Sequence, residues 1–334
     1  MNKTCFKKYT MKTLLFNLLF PFLLIAQNQM NITDFAASIT TKELKENLYV
    51  YASDYFQGRE TGTIGQRRAV DFLQNFYSTH GIEPAKGTVN YTQPMKLNIK
   101  GVEVETENVA AVIEGSLFPE EYIVISSHLD HIGIKNGQIN NGADDDGSGT
   151  VTLLEIAEAF KMAADAGQGP KRSLIFLHVT GEEKGLLGSK YYANNPLYPL
   201  TQTMTNLNVD MIGRTDPKRK DKDPNYIYLI GADRLSQDLH DISEATNTKY
   251  TQFKLDYTFN DEKDPNRFYY RSDHYNFAKN NIPVIFYFSG THEDYHKPGD
   301  TPDKIMYDLL AKRTQLIFYT AWELANRTNK IRLN

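Results

Sequence analysis

Thiols and indoles are nearly absent: among 334 residues only Cys5 carries a thiol and only Trp322 an indole. Such a chain forms no internal disulfide and has no cysteine nucleophile or cysteine metal ligand beyond that one position. Long apolar runs are also scarce. The stretch 14–26 is short of the ~20 apolar residues that a spanning helix requires. No G-x-S-x-G elbow is present, which argues against a Ser-His-Asp hydrolase. Cations are not in excess either. The net charge of -4 gives no electrostatic footprint for nucleic acid, so none is expected as a partner.

The N-terminus has a recognisable pattern. Lys7, Lys8 and Lys12 precede the apolar stretch 14–26, as in a secretory signal peptide, with Met11 an alternative start. The alternative reading is an uncleaved anchor. No cysteine follows the run, which excludes a lipoprotein. Removal of 1–26 would take away Cys5 and four positive charges (Lys3, Lys7, Lys8 and Lys12), moving the charge from -4 to -8. The mature chain, 27–334, is then a thiol-free, exported protein, periplasmic or extracellular, with no stable membrane association. It is ample for one large core.

Periodicity predicts a single α/β domain. Residues 32–85 read as interrupted helix, with Ala69, Val70, Phe72, Leu73, Phe76 and Tyr77 at helical spacing. The glycine-punctuated segment 56–62 reads as a solvated turn. Residues 89–113 alternate like strands at a sheet edge. Strands at 122–126, 174–179, 226–230 and 284–288 then alternate with helices near 150–164, 190–194 and 235–245. This pattern implies a mostly parallel mixed sheet with helices on both faces. Thr301-Pro302-Asp303 reads as the opening of the closing helix, and 216–223 as a solvated loop.

Five ligand-type side chains follow or close apolar runs. His128 ends 122–126 and Asp145 sits in the Asp-rich loop 141–149. Glu183 follows 174–179, Asp210 closes 207–209, and His296 comes shortly after 284–288. In open α/β sheets, ligands bind at the carboxyl ends of the strands, so all five can converge on one pocket. Two imidazoles and three carboxylates suit zinc and exceed the needs of one tetrahedral ion, unless a carboxylate bridges two. The pattern is that of a dinuclear metallohydrolase. Cobalt or manganese could also occupy such N/O sites.

Each signal is weak alone. The Asp run 144–146 could be a solvated turn, although calcium-loop spacing fails because Gly142 and Leu153 would fill ligand positions. His131 and His178 read as structural, the latter hydrogen-bonded inside an apolar strand. His274 reads as a scaffold group.

Taken together and in order, His128-Leu129-Asp130, Gly142 to Gly149, Glu182-Glu183, Asp210 and Tyr295-His296 resemble the M28 zinc peptidases, secreted aminopeptidase type, over roughly residues 45–325. The resemblance implies the zinc-dependent exopeptidase fold and two Zn2+ ions bridged by Asp145. His128 and Asp210 would complete one site, and Glu183 and His296 the other. It makes Glu182 the general base acting on a metal-activated water, and gives Asp130 the second N–H of the ligand imidazole. Tyr269, or the adjacent Tyr270, would polarise the scissile carbonyl. Peptides are the implied substrates, cut at the N-terminal peptide bond. The alternatives are a glutaminyl-cyclase-like single-zinc transferase and a carboxypeptidase of the same fold. The lone Trp322 and Tyr295 count against the former, and the lack of an arginine cluster against the latter. A non-catalytic binding relic would not need Glu182. Side-chain specificity and oligomeric state are not legible.

Overall fold

The runs at 122–128, 172–179, 203–209 and 284–288 are buried along their whole length, the polar 203–209 by seating Asn206 and Asn208 against Ser126 of the neighbouring strand. Strands covered on both faces read as continuous apolar runs and pair in parallel. A computed structural model describes Met1, Asn2, Thr4 and residues 30–334. The expected leader stretch 14–26 lies outside the described residues. Asn31–Asn334 forms one compact unit.

The chain begins with helices α1 (Ile32–Ala37), α2 (Thr41–Tyr51) and α3 (Ile64–Thr79). Strands β1 (Glu83–Pro84), β2 (Thr92–Ile99) and β3 (Val102–Ile113) follow, then β4 (Phe118–His128) and the short β5 (Ile134–Lys135) and β6 (Gln138–Ile139). Helix α4 (Gly149–Asp165), β7 (Arg172–Val179), α5 (Leu187–Asn194), β8 (Thr203–Val209) and β9 (Tyr226–Ile230) come next. The last elements are α6 (Gln237–Tyr250), β10 (Lys254–Asp256), α7 (His274–Ala278), β11 (Val284–Phe288) and α8 (Tyr307–Asn326).

The main sheet runs β1-β3-β7-β4-β8-β11-β9-β10, with β2 paired to β3. Strands β7, β4, β8 and β11 are mutually parallel neighbours, flanked by antiparallel β3 and β9. Four carboxyl ends therefore share one edge. Helices cover both faces, as the pattern predicted. On one face Val124, Ile175, Leu177 and Phe286 pack with Tyr192 of α5 and Phe277 of α7. On the other, α4 and α8 meet through Phe160 and Phe318, and Tyr77 of α3 lies against Phe176. Among the described residues, no helix is long and apolar enough to cross a membrane.

Two expectations are corrected. Residues 302–304 make only a short turn of 3₁₀-helix, and α8 starts at Tyr307. The break is Ile305, extended at ψ 136°, while the Met306 N–H bonds to the Gly213 carbonyl at 2.9 Å. The segment 216–223 is not wholly solvated: Asp216 and Arg219 are buried. The Arg219 guanidinium stacks 3.6 Å from the Tyr226 ring centre and pairs with Asp256 at 2.6 Å.

Candidate metal centre

The strand register brings the ligand candidates together before any loop is considered. His128 is the last residue of β4 and lies beside Val179, the last of β7. Asp210 directly follows Val209 of β8, and its N–H bonds to the Tyr287 carbonyl of β11. After β7, Gly181 turns the chain at φ 66°, where a Cβ would come within 3.2 Å of Leu187 and Leu97. That turn frees adjacent Glu182 and Glu183 from strand alternation, so both can face the site.

All five expected ligands converge. His128 Nε2 lies 3.1 Å from Asp145 Oδ1 and 3.7 Å from Asp210 Oδ1. His296 Nε2 lies 3.1 Å from Asp145 Oδ2 and 3.2 Å from Glu183 Oε2. Asp145 thus shows one oxygen to each donor set. Ligands bound ~2.1 Å from one tetrahedral ion stand roughly 3.4 Å apart, close to these separations. His128 Nε2, Asp145 Oδ2 and Glu183 Oε1 are buried without a hydrogen-bond partner. Buried polar atoms are rarely left so, and a cation is what these donors fit.

Charge follows geometry. Burial would raise Asp145, but His128, His296 and His131 hold it well below the usual carboxylate range. Burial and Asp145 would raise Glu183, yet His131 and His296 bring it to about 2. Burial would lower His296, but Asp145 and Glu183 lift it to about 9. Glu182 lines the pocket with Asp145 and Asp210. Its burial, with Asp210, Asp273 and Glu183 nearby, pushes its pKa well up.

The support around the ligands is mostly main-chain. Asp146 is fully buried, accepting the N–H groups of His128 at 3.1 Å, Gly149 at 2.9 Å and Met211 at 3.2 Å. Asp144 accepts Gly213 N–H at 2.6 Å. Asp300, four residues beyond His296, accepts the N–H groups of Asp144 and Asp145 at 3.0–3.1 Å. The peptide bond between Asp145 and Asp146 is cis. Asp210 Oδ2 receives the Ser272 hydroxyl at 2.7 Å.

Several assignments differ from expectation. The His128 Nδ1 proton goes to the Asp130 main-chain carbonyl at 2.9 Å, while the Asp130 carboxylate stands 3.9 Å away. That carboxylate instead accepts Glu182 N–H at 3.1 Å and the Thr61 hydroxyl at 2.8 Å. Either partner fixes the same tautomer, with Nε2 free to bind. Tyr269 is buried under Arg234, 3.9 Å from its ring centre, and edge-on to His274. Phe268, Arg271 and Tyr295 line the metal pocket, whereas neither Tyr269 nor Tyr270 does. The 56–62 turn is not solvated: Arg59 is fully buried and donates to the carbonyls of Leu129, Asn141 and Gly142. It ties three carbonyls between His128 and Asp145 to one guanidinium, sharing Leu129 with the Tyr51 hydroxyl and Gly142 with the Gly147 N–H. His178 is a core histidine, held by Tyr77 at 2.7 Å and Ser127 at 3.0 Å. His131, read as structural, lies 2.9 Å from Glu183 Oε1. Nothing in its sequence position sets it apart, since its approach depends on the fold of the loop. Trp322 packs on Phe35 and Phe160 and does not line the metal pocket.

Residues 108–321, well over half of the chain, match peptidase family M28. The chain belongs to this family and is a peptidase, an enzyme of the hydrolase class. A probable leucine aminopeptidase of Trichophyton verrucosum is 27% identical over 318 residues, covering 90% of this chain and 78% of that protein. The crystal structure of Legionella pneumophila LapA aminopeptidase has a TM-score of 0.69 at 21% identity, covering 89% of this chain and 75% of that one. A Porphyromonas gingivalis glutaminyl cyclase has a TM-score of 0.67 at 18% identity, covering 84% and 97%. Both structures share the fold.

His296 held near 9 is protonated at pH 7, so a metal must displace a proton there. Calorimetry of metal uptake by the apoprotein at pH 7, in buffers of different ionisation enthalpy, should give at least one proton released per chain. The apparent affinity should rise with pH up to about 9 and fall on acidification.

Proposed function

We propose that this chain is an exported dinuclear zinc aminopeptidase. What carries the reading is Asp145, whose two carboxylate oxygens each face a separate donor set. His128 and Asp210 would complete one zinc site, and Glu183 and His296 the other. Two bound zinc ions supply Lewis acidity, lowering the pKa of water towards neutrality and polarising a peptide carbonyl.

The chain's own residues do the rest. Asp130 holds the Glu182 main chain, which fixes that carboxylate in the pocket beside Asp145 and Asp210. Glu182 takes the proton of the attacking water and returns it to the leaving amine. Burial and the neighbouring carboxylates push its pKa up, which makes it a stronger proton acceptor than a free carboxylate. The carboxylates give the pocket a negative lining that holds a free α-ammonium through charge-assisted hydrogen bonds. Met211, Phe268, Phe286 and Phe288 form an apolar wall suited to an apolar first side chain. Tyr295 stacks on His296 at 3.8 Å and stands beside Arg271, 3.3 Å from its hydroxyl. Tyr295, which lines the pocket where Tyr269 does not, would polarise the scissile carbonyl.

A free peptide, its N-acetylated form and its C-amidated form separate the possible reactions. Acetylation should remove most of kcat/KM and amidation little. Equal cleavage of the acetylated peptide, with loss on amidation, would mean a carboxypeptidase. Release of a pyroglutamyl product without peptide cleavage would mean the cyclase reaction.

Glu182→Gln should lower kcat by about 10²–10⁴-fold with zinc content nearly unchanged. Glu183→Gln should instead lose metal. Elemental analysis that finds equal loss in both would overturn this division of roles. For export, mass spectrometry of the native N-terminus should find cleavage near Ala26. Recovery of residues 14–26 in a membrane fraction would favour an anchor.

A further inference from the structure

His131 has no role in the reading above, yet it is better placed to bind metal than a core histidine needs to be. Its side chain is fully buried at the bend after β4, where its N–H bonds to the Arg59 carbonyl at 3.3 Å. The ring packs on Gly142, where a Cβ would fall 2.6 Å from Cγ and Cδ2. The loop therefore needs glycine at 142 to admit an imidazole at 131. The ring is aimed at the carboxylates: Nδ1 lies 2.9 Å from Glu183 Oε1 and 3.9 Å from Asp145 Oδ2.

His131 Nδ1, Glu183 Oε1 and Asp145 Oδ2 all lack a partner of acceptable hydrogen-bond direction, although each is buried. His178 is the contrast, with both ring nitrogens engaged by hydroxyls. One nitrogen and two carboxylate oxygens that converge in a buried space are a donor set that suits a shared cation. Atoms of His131, Asp145 and Glu183 fall within 4.8 Å of one another, as do those of His128, Asp145 and Asp210.

We propose that His131 Nδ1 is a protein ligand of the cation held by Asp145 and Glu183. The proposal rests on the dinuclear reading. It makes the two sites unequal: one has a single imidazole, His128, with two carboxylates, and the other has two imidazoles, His131 and His296, with two carboxylates. Imidazole favours zinc, cobalt and nickel over magnesium or calcium, so the nitrogen-rich site is the more selective of the two.

Paramagnetic proton NMR of the full-length dicobalt protein counts ligand imidazoles directly, because each bound ring keeps one exchangeable N–H beside the metal. Three strongly shifted exchangeable histidine signals are expected in the wild type, and two in His131→Gln. Labelling with ring-¹⁵N histidine assigns His131 to the Nδ1-bound form. In parallel, competition with a chromophoric chelator should find one zinc affinity reduced at least ~10-fold in His131→Gln and the other nearly unchanged. Two shifted signals in a wild-type protein that binds two ions would overturn the role of His131 and leave the dinuclear reading standing. A wild type that binds a single ion would overturn both. Because the wild-type count alone decides, a poorly folded variant does not shelter the proposal.

Discussion

Three consecutive aspartates sit at the centre of this molecule, and their division of labour is the constraint on which the site depends. Asp145 faces the ligand pocket, while Asp146 faces the backbone and Asp144 divides between the Gly213 N–H and the His292 imidazole. Asp146 gathers N–H groups from the end of β4, the start of α4 and the residue after Asp210. Asp144 and Asp300 do the same for Gly213 and for the aspartate loop itself. A buried carboxylate is costly unless it accepts such bonds. Here the acceptance is what ties β4, β8 and the His296 loop into one frame. The positions of the ligand candidates are set by carboxylates that lie outside the candidate donor set.

The electrostatics explain why this frame suits dications. Asp130, Asp145, Asp146, Glu182, Glu183, Asp210 and Asp273 crowd one strand edge. Burial pushes Asp273 up to about 7, an effect that the neighbouring carboxylates Asp130 and Asp210 strengthen. Without cations, protons on His128 and His296 are the available compensation, and both imidazoles are driven above their ordinary range. Metal binding exchanges those protons for charge of higher density. Affinity, proton release and stability are therefore linked quantities in this site.

How much of this could be read from the sequence depended on distance along the chain. His128, Glu183 and Asp210 each border an apolar strand, so the rule that strand ends converge was enough to single them out, whereas Glu182 was legible only through the family resemblance. The antiparallel flanks β3 and β9 and the true start of α8 were less legible. The last was obscured because Thr301-Pro302-Asp303 has good helix-opening chemistry that Ile305 then interrupts. Arg59, Asp300 and His131 were invisible for a common reason. Each acts across a loop on residues far away in sequence, and a lone arginine, aspartate or histidine in a turn carries no pattern. Tyr269 failed for the opposite reason: adjacent aromatic residues share one motif, but Arg234 and His274 claim its ring, leaving Phe268 and Arg271 to face the pocket.

The reversal of strand direction on both sides of the parallel core acts as a ruler. Only β7, β4, β8 and β11 present carboxyl ends at this edge, and with neighbours ~4.8 Å apart they span roughly 14 Å. Beyond them, β3 and β9 run the other way and contribute amino ends instead. The edge is therefore bounded by four strand ends, and the segments that follow them carry Asp145, Glu183, Asp210 and His296. A slip of register between any two of these strands would displace one ligand candidate relative to the rest.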